Sequence, residues 1–298
     1  MEIRNVAIVG GTHGNELTGV YLLRRWAAYP DIINRPSFQT NLFLANPKAV
    51  EQNRRFIDED LNRCFTRDSL TSTDRGTYES QRAYYLNQIL GPKGNPKHDL
   101  IFDMHTSTSN CGVMLILMDD NLFNLRLAAY IQSRMPDAKI HYIPPTQEDQ
   151  PYLNSICPRS LAMEIGPIPQ GLLRSDLIAL TNEVVKHGLD YLHFLNQGKQ
   201  PMIPDSIKVF EFNEVALFPL DGDVIVGTIH RSLQGRDYEA LHYGDPMFEG
   251  FDGSVIAYEG QKTVYPVFIN EAAYYRKHVA MSLCSKKTLL TSTGLELV

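Results

Sequence analysis

The chain has 298 residues, 43% of them hydrophobic and 21% charged, enough for one large domain or two smaller ones, and these values exclude disorder, collagen and coiled coil as the overall organisation. Lys and Arg number 28 against 34 Asp and Glu, a net charge of −6, which argues against a general nucleic-acid or anionic-membrane binder but leaves room for a local basic pocket. Cys64, Cys111, Cys157 and Cys284 are too widely spaced for a CxxC pair or a zinc ribbon and read as reduced thiols of a cytoplasmic protein. The first residues, MEIRNVAIVGGTHGNE, lack a signal-peptide plan: their apolar run is about five residues against the roughly 7–15 of an h-region. No stretch approaches the ~18 apolar residues of a membrane span, so the expectation is a cytoplasmic protein with neither membrane nor nucleic acid as partner.

Val6–Gly10 (VAIVG) reads as a buried strand, followed by Gly-rich punctuation and a helix from about Glu16 to Ala28. Leu42–Ala45 is a second strand, Tyr78–Leu90 a helix by spacing, and Leu100–Met104 (LIFDM) and Val113–Met118 are apolar strand-like runs. A helix over Leu122–Arg134, a short strand at Ile140–Ile143, a buried run at Leu161–Ile165 (LAMEI) and a long helix over Leu173–Leu195 complete the first two-thirds. Continuously apolar strands alternating with helices imply an α/β fold with a mostly parallel sheet covered on both faces. Near Gln197–Pro204 (QGKQPMIP) the character changes, and short β-like runs follow at Lys208–Phe212, Val224–Ile229, Ser254–Tyr258 and Thr263–Ile269. This places a boundary at about residue 200, between a domain of residues 1–200 and a smaller β-rich domain of residues 201–298.

Four constellations carry chemistry. The turn after the first strand lacks GxGxxG and GxxxxGK[ST], so a nucleotide-binding reading fails; it holds HxxE instead, His13 and Glu16. Such a pair on a tight turn suits a metal, and equally describes a polar turn residue with a helix N-terminal Glu favoured by the macrodipole. His105 follows the strand LIFDM and precedes the polar run Thr106–Asn110, just beyond the carboxyl end of a buried strand, where open α/β sheets place their sites. Glu164 stands inside the apolar run LAMEIGP, where a carboxylate needs either a salt bridge to an arginine or a function. The segment Arg55–Arg63 (RFIDEDLNR) has little periodicity and supplies Arg55, Asn62 and Arg63; its forks suit carboxylate recognition, with Asp58 and Asp60 placed to hold the arginines, or it is a charge-balanced surface loop.

The ordered set GGTHGNE, RFIDEDLNR, DMHTSTSN and AMEIGPIPQG, with GDPMF (Gly244–Phe248) and VYPVFINEAAYY (Val264–Tyr275), resembles the aspartoacylase family, which is related to zinc carboxypeptidases of the carboxypeptidase A type. The resemblance covers about Val6 to Tyr275. It implies a carboxypeptidase-like catalytic domain with a β-rich C-terminal domain shaping the entrance, one zinc ion per chain held by His13, Glu16 and His105, and Glu164 as catalytic general base. It further implies that Arg55 acts in catalysis and, with Asn62, Arg63, Glu164 and Tyr274, in substrate binding. The sequence departs from the family at two places: an arginine ten residues before the catalytic glutamate in animal aspartoacylases is Asn154 here, and a tyrosine four residues earlier is Gln150, with Arg159 and Arg174 the nearby arginines that could substitute.

The expected activity is zinc-dependent hydrolysis of an N-acyl amino acid, N-acetyl-L-aspartate first, to the free amino acid and a carboxylate. Three protein ligands leave one metal position open, as in catalytic rather than structural sites. The alternatives are a sister deacylase, either a succinylglutamate desuccinylase or an aminoacylase for N-acyl aromatic amino acids, and a non-catalytic metal-binding protein on the same scaffold. By the same resemblance the expected assembly is a homodimer or higher homo-oligomer.

Overall fold

The computed structural model describes residues 2–145 and 149–297. In chain order the elements are β1 (Asn5–Gly10), α1 (Leu17–Ala28), β2 (Gln39–Leu44), α2 (Pro47–Glu51), α3 (Arg67–Thr71), α4 (Tyr78–Leu90), β3 (Leu100–Thr106), β4 (Val113–Leu117), α5 (Leu122–Arg134), β5 (Lys139–Tyr142), β6 (Ser160–Ile165) and α6 (Ser175–Asn196). The strands β7 (Ser206–Leu217), β8 (Leu220–Asp221), β9 (Val224–Ile225), β10 (Gly227–Ile229), β11 (Pro246–Gly250), β12 (Val255–Ala257), β13 (Tyr265–Val267) and β14 (Val279–Leu290) follow. No described helix is long and apolar enough to cross a membrane.

One nine-stranded sheet dominates, in the order β13-β14-β7-β5-β4-β6-β3-β1-β2. The pairs β1–β2, β1–β3, β3–β6, β4–β5 and β5–β7 are parallel; β4–β6, β7–β14 and β13–β14 are antiparallel. The apolar runs that made these strands legible have a simple cause. Successive side chains point to opposite faces, and here both faces are covered. Val6 and Ile8 join a core with Leu22 and Trp26 of α1, Ile131 of α5 and Leu189 of α6, whereas Ala7 and Val9 join a second core with Leu86 and Leu90 of α4. The indole Nε1 of Trp26 also donates to Asn182 Oδ1 at 3.0 Å, fastening α1 to α6.

The expected mostly parallel mixed sheet flanked by helices, with β structure gathered after residue 200, is the observed fold. The structure adds β11, β14 and the short helices α2 and α3 to the elements marked in the sequence, and differs from the sequence reading in other details. β3 extends to Thr106, so His105 lies within the strand rather than beyond it. After residue 204, the run at Lys208–Phe212 belongs to a twelve-residue strand, β7, which pairs with β5 on one side and β14 on the other. β7, β13 and β14 thus extend the main sheet, while β8–β9 and β10–β11–β12 form small separate sheets around their own core of Phe218, Phe248 and Met281.

Candidate active site

β6, β3 and β1 are consecutive parallel neighbours in the sheet, so their C-terminal ends lie side by side, and each delivers part of the site. The turn leaving β1 is tight for steric reasons. Gly11 has φ +68°, and a Cβ on Gly14 would lie 2.1 Å from the Ala49 carbonyl carbon. The Glu16 N–H donates to the His13 carbonyl at 3.2 Å, and the Gly14 N–H donates to the Arg55 carbonyl at 3.1 Å, joining the turn to the segment that carries Arg55.

His13, Glu16 and His105 converge. Glu16 Oε1 lies 2.7 Å from His13 Nδ1, Glu16 Oε2 lies 3.0 Å from His105 Nδ1, and the two Nδ1 atoms are 3.2 Å apart. All three residues are buried, and one ligand atom from each lies within 4.8 Å of the others. Two nitrogens each ~2.0–2.1 Å from one tetrahedral ion sit about 3.3 Å apart, close to the separation found here. Behind them, His13 Nε2 is 3.0 Å from Asp60 Oδ1 and His105 Nε2 is 3.0 Å from Asp103 Oδ2. A carboxylate on the far nitrogen of each ring is the arrangement that orients metal-binding histidines. Asp103 is itself fixed by the Thr12 hydroxyl at 2.8 Å. Burial opposes ionisation of Glu16, but the two imidazoles hold its carboxyl well below the usual carboxylate range. Its side chain caps no N–H of α1, so it does not serve the helix end. The donor set fits a divalent ion.

Glu164 sits on β6 in register with His105 on β3. Its Oε2 is buried without a hydrogen-bond partner, and it forms no salt bridge among the described residues, so the structure does not have the arginine pairing that the sequence left open. Burial first, and then the Glu16 carboxylate, push its pKa well above the usual value.

Arg55 spans Glu16 Oε1 at 3.1 Å and Asp60 Oδ2 at 3.3 Å. Asp60 thus does hold an arginine, while burial is outweighed by His13 and Arg55 in keeping its own carboxyl strongly ionised. Asp58 does not; it accepts from the Tyr78 N–H at 2.8 Å. The segment is ordered by Glu79 of α4, fully buried, whose carboxylate accepts from the N–H groups of Ile57, Asp58 and Glu59 and from Asn46 Nδ2. Downstream, Asp60 caps a single 3₁₀ turn, Leu61–Arg63. Asn62 Oδ1 accepts from the Leu153 N–H at 2.9 Å, and the Arg63 guanidinium lies 5.1 Å above the Tyr152 ring.

Tyr274 arrives from the far end of the chain on the 3₁₀ segment Ala272–Lys277. Glu271 caps that segment at the Ala273 N–H (3.0 Å) and also accepts from the Thr108 N–H (2.8 Å) and the Ser107 hydroxyl. The polar run after His105 is therefore tied to the segment bearing Tyr274. Burial raises the Tyr274 phenol above its ordinary value, with Glu164 adding to the effect.

His13, Glu16, Arg55, Asn62, Arg63, His105, Glu164 and Tyr274 all line one cleft of about 710 Å³ including its open mouth. Asn154 lines it as well. Arg159 and Arg174 do not: Arg159 Nη1 donates to the Asp99 carbonyl, and Arg174 pairs with Asp176 at the surface. Sequence reasoning missed Asp103, Glu79 and Glu271. Asp103 had a usable signal, since it precedes His105 by two on a strand and must share its face. Glu79 and Glu271 had none beyond being carboxylates near helix starts.

Residues 2–192 match the family described as "Succinylglutamate desuccinylase/Aspartoacylase catalytic domain", and residues 205–286 match the "AstE/AspA barrel-sandwich hybrid domain". A "Probable aspartoacylase" of Trichodesmium erythraeum is 45% identical over 290 residues, covering 97% of this chain and 99% of that protein. The "N-acyl-aromatic-L-amino acid amidohydrolase (carboxylate-forming)" of Rattus norvegicus is 42% identical over 283 residues, covering 92% and 88%. The crystal structure of murine aminoacylase 3 superposes with a TM-score of 0.93 at 40% identity, covering 100% of this chain and 99% of that one.

Proposed function

The chain belongs to the succinylglutamate desuccinylase/aspartoacylase family, and from that premise we propose that it is a hydrolase that splits N-acyl amino acids into a carboxylate and a free amino acid, using a zinc ion held by His13, Glu16 and His105. Its relatives' names divide between aspartate and aromatic amino acids as the released amine, and N-acetyl-L-aspartate is the reference substrate. The observation that carries the reading is the convergence of two imidazoles and a carboxylate beside a buried, unpartnered Glu164 oxygen in one cleft.

Zinc bound there would supply Lewis acidity, polarising the acyl carbonyl and making water easier to deprotonate. Glu164 lines the cleft, has an oxygen without a hydrogen-bond partner among the described residues and has a pKa raised by burial, properties that suit a general base. It takes the proton of water as the oxygen adds to the acyl carbon. When the C–N bond breaks, it returns that proton to the leaving nitrogen. Arg55, fixed by Glu16 and Asp60, offers its remaining N–H groups to the developing oxyanion. Arg63 and Asn62 receive the substrate's α-carboxylate, a bidentate fork beside an amide. Tyr274, kept neutral by burial, donates a hydrogen bond to the substrate from the segment Ala272–Lys277.

Residues up to about 200 would form the catalytic unit and the later residues the β-rich unit that closes the entrance. Four free, buried cysteines are compatible with a reducing cytoplasm, and a homodimer is the assembly we expect. The decisive test is Glu164→Gln. It should bind one equivalent of zinc by metal analysis while acetate release from N-acetyl amino acids falls by about 10²–10⁴. Near-normal turnover in that variant would remove Glu164 from its role, and a full equivalent of metal in His13→Ala or His105→Ala would contradict the ligand set.

A further inference from the structure

At one end of the cleft the described cations are all engaged elsewhere. Asn154, in the 3₁₀ turn Leu153–Ile156, is 4% exposed. Its Nδ2 donates to Ser160 Oγ at 3.1 Å, while its Oδ1 is buried with no hydrogen-bond partner among the described residues. It stands with Ile116, Met118 and Tyr152 in the wall shared by the catalytic cleft and a second cavity of about 880 Å³. The apolar side chains of Ile143 and Ala162 line the cleft nearby.

Every described cation lining the two cavities is committed. Arg55 bridges Glu16 and Asp60. Arg63 lies over Tyr152, donates to the Asn62 carbonyl and is the group proposed for the α-carboxylate. Lys93 donates to the carbonyls of Phe65 (2.8 Å) and Gln150 (2.5 Å) and pairs with Asp149 at 2.8 Å. Residues 1, 146–148 and 298, outside the description, include no Lys or Arg. Asp119 in the second cavity and Glu164 in the cleft add further carboxyl groups, and no counter-ion, to this end. A substrate carboxylate placed here would lose its water, find no counter-ion, and meet a carbonyl oxygen that can only accept. A donor placed here would satisfy an oxygen that otherwise stays unpaired, and sites built that way reject the analogue lacking the donor.

Resting on the deacylase reading above, we propose that Asn154 sets the amine specificity, and that this subsite takes an uncharged, hydrogen-bond-donating side chain, a carboxamide above all, in preference to the isosteric carboxylate. The substrate N–H donates to Asn154 Oδ1, and the methylenes pack on Ile116 and Met118.

Isosteric pairs test this directly. In the zinc-loaded protein, kcat/KM for N-acetyl-L-asparagine and N-acetyl-L-glutamine should exceed that for N-acetyl-L-aspartate and N-acetyl-L-glutamate by at least tenfold. Asn154→Arg should invert the order. Asn154→Leu, which tolerates the site's apolar neighbours if the arginine variant fails to fold, should lower the asparagine-to-leucine ratio of the N-acetyl substrates at least tenfold. Aspartate equal to or better than asparagine in the unaltered protein, or an unchanged ratio in Asn154→Leu, overturns the proposal and leaves the deacylase reading standing. If none of the N-acyl amino acids turns over, the deacylase reading falls, and the order of Kd values for the same four acids by calorimetry decides the subsite: carboxamides tighter than carboxylates supports it, the reverse order overturns it.

Discussion

Each imidazole at the centre of the cleft is held from behind by a carboxylate, and the two are not equivalent. Asp60 is partly exposed and shared with Arg55, whereas Asp103 is fully buried and, among the described residues, lies against the Thr12 hydroxyl and the His105 ring alone. Asp103→Asn keeps the shape but loses the charge that fixes the ring's orientation and basicity. Metal affinity should fall about 10–100-fold, read by competition with a chelator; unchanged affinity would make Asp103 a packing residue only. A different buried carboxyl, Asp237, bears on stability. Burial raises its pKa to about 6 from the 3.8 of an exposed Asp, despite hydrogen bonds such as that from the Ile269 N–H, and its Oδ2 has no partner among the described residues. The sign follows: below pH 4 the group is neutral in both states, and between pH 4 and 6 only the unfolded chain ionises. Folding therefore loses up to about 3 kcal/mol from this group as pH rises through that window. Asp237→Asn should remove that loss, so urea unfolding at pH 8 should show the variant gaining on the parent relative to pH 4.5; a parallel shift at both values would exclude the effect.

The segment between Arg55 and Arg63 shows how an aperiodic element becomes rigid. It has neither strand pairing nor a full helix, and only one 3₁₀ turn. Its backbone donors are instead collected by one buried carboxylate, Glu79, from the first turn of α4. Charge-assisted hydrogen bonds to buried N–H groups are strong and costly to leave unmade. Glu79→Ala should cost about 3 kcal/mol or more in urea unfolding, and should raise KM by more than it lowers kcat, since Asn62 and Arg63 lose their placement. A stable variant with normal KM would show that the segment orders itself. The run Thr106–Asn110 is treated similarly by Glu271, which draws it against the segment carrying Tyr274.

At the scale of the molecule, the chain after residue 204 adds strands to the main sheet and also supplies Phe268, Glu271 and Tyr274 to the lining of the cleft. β7 pairs with β5, β14 with β7 and β13 with β14, and Phe210, Val267 and Cys284 from these strands share a core with Met114 and Ile116 of β4. A chain ending at residue 204 would expose the edge of β5 and that apolar face, a template for aggregation. It should elute as aggregate and melt without a cooperative transition, whereas a soluble, cooperatively melting fragment would show that the two parts are energetically separate. It would also lack Tyr274 and Glu271, so the site is completed only when the last third has folded.

Much of this was written in the sequence for local reasons. Strands buried on both faces must be apolar throughout, so VAIVG, LIFDM and LAMEI were legible, and the helices over Tyr78–Leu90 and Leu122–Arg134 have the bounds their periodicity marks. Glu164 was legible because a polar group in a buried strand needs a reason, and His105 because it follows a buried strand at the end where open α/β sheets place their sites. What the sequence could not carry is anything decided by a partner distant in the chain. Glu164 reads equally as a buried ion pair or a base until it is seen to form no salt bridge among the described residues, and Asn154 reads only as a departure from the family arginine until its oxygen is found unpaired in a residue that lines the cleft. Asp103, Glu79 and Glu271 gain their roles only from what the fold brings to them, because the worth of a carboxylate depends on the donors and charges within a few ångströms, and those are fixed by tertiary packing rather than by spacing along the chain.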